Sequence, residues 1–212
     1  MFKCVRGELG LMGAAWRVTM AQKAKAESKF PMHLKLRDGR QATIRIMEPS
    51  DKDAILKFAA KLPGDDLLFL RTDITDKGVV NDWIDNIKKG NTTTLLAEVD
   101  GDLAAYASVH VEPARWTRRI GELRVNASSK YRGLGLGRRL TAEIFEVARG
   151  LGLKKITAQM TPDQTAARTA FEHLGFQVEA VLTDWVEDRK GHPRDLLIMT
   201  HDVTGFSDRI VA

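Results

Sequence analysis

The chain has 212 residues, 43% of them apolar and 29% charged, with a single cysteine, Cys4. These totals suit one soluble globular domain and exclude both a disulfide framework and a cysteine-rich zinc site. The net charge of +5 is concentrated at the front, where residues 1–30 hold six lysines and arginines against two glutamates, so the rest is nearly neutral. A neutral body argues against a nucleic-acid partner, and no apolar run is long enough for a membrane-spanning helix.

Residues 1–30 show no sustained period and end in AQKAKAESK. A flexible basic tail is expected there, followed by a domain at 31–205 and a short C-terminal tail at 206–212. The sequence leaves open whether translation starts at Met1 or Met20. LGLMGAAW at 9–16 has some likeness to a signal-peptide core but is short and lacks a clean cleavage pattern, so a cytoplasmic location is expected.

HLKLRDGRQATIRIM, 33–47, predicts two strands around a turn at Asp38 and Gly39. Ser50 is expected to cap a helix carrying Ile55, Leu56, Phe58, Ala59 and Leu62 on one face, closed by Pro63 and Gly64. A second helix is expected over 75–89 with Val79, Val80, Trp83, Ile84 and Ile87 inward. Residues 93–111 read as a hairpin around Asp100 and Gly101, and 119–125 as a further strand.

Leu136, Leu140, Ile144, Val147 and Leu151 have helical spacing, and KKITAQM, 154–160, returns as a strand. Thr161 to Gln164 has the form of a capping box with Pro162 at the first helical position. It predicts a short helix with Ala167, Ala170, Phe171 and Leu174 inward, stopped by Gly175. Two last strands are expected around Lys190 and Gly191. Strand and helix alternate in the middle and hairpins stand at both ends, which is the pattern of an α/β mixed sheet.

YRGLGLGRRL, 131–140, places glycines at 133, 135 and 137 between a strand and a helix. Such a turn presents amides and a helix N-terminus to an anion, and Arg132, Arg138 and Arg139 add charge. A phosphate or diphosphate is the expected ligand. Arginines replace the Lys-Ser/Thr of a Walker loop, and Arg138 stands where a dinucleotide fingerprint needs its last glycine.

Arg132, Gly133, Leu134, Gly135, Leu136 and Gly137 fit the R/Q-x-x-G-x-G/A motif, so the chain resembles the GNAT N-acetyltransferase superfamily. ELRVNASSKYRGLGLGRRL and DQTAARTAFEHLGF resemble that family's central strand, its following helix and the next helix. The resemblance covers about 34–203 and is most specific over 120–176. It implies a mostly antiparallel central sheet flanked by helices, with acetyl-CoA as co-substrate held by residues 132–138. It also implies roles for Leu123 and Val125, with the Val125 amide bonding the thioester carbonyl. Gln164 stands at the family's usual asparagine. Phe171 stands at a tyrosine often credited with protonating the leaving thiolate, so it reads as a core aromatic, with Tyr131 an alternative proton source.

Attack by an amine requires a neutral nitrogen, hence a base. Glu122 is the first candidate, with pairing to Arg124, Arg118 or Arg119 as its structural alternative, and His110 is the second. Glu112, Asp184 and Glu187 are expected to attract a cationic amine. The five histidines are scattered without ligand spacing, so no metal is expected. The reading is an acetyl-CoA-dependent N-acetyltransferase acting on a primary amine, either a small molecule or a protein lysine or N-terminus. The alternative is a non-catalytic acyl-CoA sensor or scaffold, and a homodimer is left open.

Overall fold

A computed structural model describes residues 27–203 apart from 65–66, 68–71, 115 and 189–190. The expected tail at 1–26, the C-terminal tail at 206–212 and the turn residue Lys190 lie outside the described residues. Eight strands form one sheet in the order β1-β2-β3-β4-β5-β6-β8-β7. In sequence they are β1 (Met32–Lys35), β2 (Gln41–Ile46), β3 (Thr92–Val99), β4 (Asp102–Val111), β5 (Ile120–Ala127), β6 (Lys155–Met160), β7 (Gln177–Glu187) and β8 (Pro193–Asp202). Every pairing is antiparallel except β5 with β6, because only there does a helical crossover return the chain in the same direction. The helices are α1 (Lys52–Ala60), α2 (Lys77–Lys88), α3 (Leu136–Gly150) and α4 (Thr165–Glu172).

Alternation along the strands divides the core in two. On one face Leu95, Ala97, Ala107, Val109 and Leu123 pack beneath Leu136, Leu140 and Ile144 of α3. On the other, Leu96 and Tyr106 pack with Ile55 and Phe58 of α1 and Val80, Trp83 and Ile84 of α2. Tyr106 sits among rings there, 5.1 Å from Trp83 and 5.9 Å from Phe58.

Three expectations change. Ser50 does not cap α1: it lies within a 3-10 turn, Pro49–Asp51, where Asp51 bonds back to the Glu48 amide at 2.7 Å. Arg45 explains the choice, because it reaches Asp51 at 2.7 Å and Glu98 at 2.6 Å and so ties that carboxylate down. The box at Thr161 also forms only half. Gln164 accepts from the Thr161 amide at 3.2 Å, but α4 starts at Thr165, with Gln164 as its N-cap and Pro162 in the preceding turn. Finally, Lys29 and Phe30 belong with the folded part: Lys29 pairs with Glu143 on α3, and Phe30 packs on the core.

Candidate active site

The glycine turn links β5 to α3. Gly133 and Gly135 have φ of +76° and +87°, in the left-handed region where a side chain is strained. Gly137 is different: it lies in the first turn of α3, and a Cβ there would meet nothing within 4 Å. No neighbour in the chain explains its missing side chain, and the open space lies where an anion would approach.

The first amide to bond back inside α3 is that of Arg139, to the Gly135 carbonyl at 3.0 Å. The amides of Leu136, Gly137 and Arg138 precede it and are free of helical partners, and no side chain caps this end among the described residues. Three amides, the helix dipole and open space fit a diphosphate. Arg132 and Arg138 are exposed beside the turn. Arg139, expected to join them, pairs instead with Glu143 at 2.7 Å, one turn along the helix.

Sequence reasoning missed Arg37. It lies in the β1–β2 hairpin, where its amide donates to the Leu134 carbonyl and its guanidinium to the Gly133 carbonyl, both at 3.4 Å. Its Nε also lies 3.8 Å from where a Gly135 Cβ would stand. Almost a hundred residues separate the two segments. No local pattern reports such a contact.

From the turn, the neighbouring feature is a parting of strands. Parallel pairing of β5 with β6 spans Ile120↔Lys155 to Leu123↔Ala158, yet β5 continues to Ala127. Residues 124–127 therefore extend past the last pair with backbone groups facing the gap. Val125 lies on this stretch. Leu123 is buried in the core, so only its backbone can serve a ligand, and the same holds for Leu136. Leu134 is half-buried against the core.

Opposite α3, three rows of side chains cross β3, β4 and β5. Thr92, His110 and Glu122 form one row, Thr94, Ser108 and Arg124 the next, and Leu96, Tyr106 and Asn126 the third. His110 Nδ1 lies 3.1 Å from Thr92 Oγ1. Arg124 donates through Nε to Glu122 at 2.8 Å, so the pairing weighed for Glu122 is present, and its side chain stays 16% exposed. Trp83 donates to Thr94 at 3.0 Å. Burial pushes the Tyr106 phenol well above its ordinary range, an effect only partly offset by Arg124, so the group remains a proton donor.

Above these rows lies a cleft bordered by Ile74, Trp83, Tyr106, Ser108, His110 and Arg124. Glu112, Asp184 and Glu187, expected to attract a cationic amine, are exposed and none borders it. The sequence held the signal for this cluster, since polar residues recur at every second position of β4 and β5. Phe171, which the resemblance also puts beside the cofactor, is buried edge-on to Phe176 with centroids 5.0 Å apart and belongs to the core. Tyr131 is likewise buried, with Arg40 and Lys130 over its ring at 5.0 and 4.9 Å. No group of His, Cys, Asp or Glu among the described residues could hold a metal ion.

The chain belongs to the Acetyltransferase (GNAT) family, which matches residues 64–176, just over half its length. Solved structures agree with that family's fold. A GNAT-family acetyltransferase from Streptococcus pneumoniae is 22% identical with a TM-score of 0.67, over 76% of this chain and 99% of that one. The yncA protein of Salmonella typhimurium, solved with its cofactor acetyl-CoA, is 23% identical with a TM-score of 0.67, over 76% and 94%. A ribosomal-protein-alanine N-acetyltransferase from Brucella melitensis is 26% identical with a TM-score of 0.65, over 75% and 98%. No curated protein sequence matches the chain.

Proposed function

We propose that the protein transfers an acetyl group from acetyl-CoA to a primary amine by direct attack. The observation that carries this is the juxtaposition of an open, uncapped anion turn with a half-paired strand whose opposite face bears a base cluster. Acetyl-CoA supplies an activated thioester. The amides of Leu136, Gly137 and Arg138, with Arg132 and Arg138, hold its diphosphate, and the free edge of β5 aligns the pantetheine arm with help from Gln164. The Val125 amide bonds the thioester carbonyl and favours charge developing on that oxygen.

Glu122 takes the proton from the acceptor's ammonium, with His110 next to it as the alternative base. Phe171 has no proton to give, and Tyr131 lies under two cations, so the thiolate leaves to solvent. A thiol with a pKa of about 8.5 is a workable leaving group near neutral pH.

A screen of primary amines, read by thiol release from acetyl-CoA, tests the reading. At least one amine should raise release far above the rate without acceptor. Tight CoA binding with no amine-dependent release across small amines, lysine peptides and N-terminal peptides would replace it with the sensor reading, which Phe171 favours.

A further inference from the structure

The acceptor's remaining chemistry can be read from the cleft over Tyr106, Ser108, His110 and Arg124. Among the described residues its border contains no acidic side chain, whereas a cleft selecting a bare polyamine needs carboxylates. It is rich instead in donors. Ser108 is 0% exposed, and its Oγ has no hydrogen-bond partner among the described residues. An unpaired buried hydroxyl loses free energy unless something supplies its bond, so its place on the cleft border points to a ligand.

Arg124 is the cross-strand neighbour of Ser108. It gives Nε to Glu122, while its terminal nitrogens have no partner among the described residues. Those nitrogens form the edge of the guanidinium fork that grips a carboxylate with two parallel bonds. The cavity measures about 30 Å³, room for a group the size of a carboxylate.

We propose that this cleft seats an oxyanion of the acceptor, so that the amine acetylated belongs to a small amino acid, its carboxylate held by Arg124 and Ser108. This rests on the acetyl-transfer reading and narrows it. Glu122 and His110, one row along β5 and β4, then stand beside the amine end of the same molecule. The labour is divided between rows: Arg124 and Ser108 bind the anion, while the next row handles the proton.

The test is calorimetry on the CoA-saturated protein, titrated with the twenty L-amino acids and with their primary amides, which lack the carboxylate. At least one acid should bind about tenfold or more tightly than its own amide, as expected for a charge-assisted bidentate contact. Arg124→Leu and Ser108→Ala should each shrink that ratio while CoA affinity stays within about twofold, the sign of an intact fold. Should Arg124→Leu lose CoA binding through misfolding, Ser108→Ala carries the comparison. The proposal is overturned if no acid outbinds its amide, or if the ratio survives in a folded variant. Acid-selective binding with no thiol release from acetyl-CoA would leave the anion seat standing and remove the acetyl-transfer reading.

Discussion

In the proposed reaction the two faces of β5 work by opposite means. Toward α3, its side chains are core: Leu123 is buried and Val125 packs on the same cluster, so what they offer a ligand is backbone. The glycine turn continues this logic, because amides and absent side chains make the site. Toward α1 and α2 the same strand presents Glu122, Arg124 and Asn126, and there the side chains act. A site built of backbone fails when bulk is added. A site built of side chains fails when a group is removed.

The largest effect is expected where bulk enters the backbone face. Gly137→Glu places a carboxylate in the space that no neighbour fills. An acidic residue in the first helical turn suits the dipole, so the fold should keep its melting temperature. CoA affinity should fall by about 10³-fold or more, around 4 kcal/mol. Calorimetry showing unchanged affinity in the folded variant would mean that the phosphates bind elsewhere.

On the other face a deletion should do the damage. Glu122→Gln keeps shape and one hydrogen bond but removes the basic oxygen, so turnover should drop by about 10²–10⁴-fold with CoA affinity retained. The acidic limb of the pH–rate profile should change with it. Normal turnover with an unaltered limb would move the base to His110, with His110→Asn as the next variant.

Stability divides along the same line. Leu140 on α3 is fully buried, so Leu140→Ala should cost about 2–5 kcal/mol in denaturant unfolding. The ion cluster on the other face should matter less at neutral pH. Burial works to raise the Asp51 carboxyl, but Arg45 and the Glu48 amide outweigh it and hold the group below its ordinary value. The folded state therefore binds fewer protons. This contribution is present above the unfolded value, near pH 4, and is lost as pH falls through the lower folded value. Asp51→Asn should cost about 1–3 kcal/mol at pH 7 and nearly nothing at pH 2. Equal loss at both pH values would assign the effect to packing.

The strands, helices α2 and α3 and the glycine turn were legible because local signals carry them. Turn residues, alternation and helical spacing act over a few positions. Asp76, for instance, caps α2 through the amides of Gly78 and Val79. The start of α1 was missed because Arg45, held also by Glu98 on β3 far along the chain, decides which carboxylate closes that turn. The residues of the cleft depend on a distant pairing too: Glu112, Asp184 and Glu187 lie away from it, and the sheet register brings Arg124 and Ser108 there. The pairing of Glu122 with Arg124, weighed from the sequence, follows from their i, i+2 placement on one strand face.

The bonds from Arg37 to Gly133 and Leu134 join a hairpin that precedes the family-matched stretch to the turn at its heart. A fragment trimmed to residues 64–176 would lose β1, β2, β7 and β8, leaving β3 as a raw sheet edge with its amides unpaired. The stretch that identifies the family should thus fail to fold by itself, which circular dichroism of the fragment would check. In the whole chain, the same bonds make the hairpin a reporter of occupancy. A ligand bound at the turn should suppress local opening, so amide exchange should slow in β1 and β2, far along the chain from the proposed phosphate site.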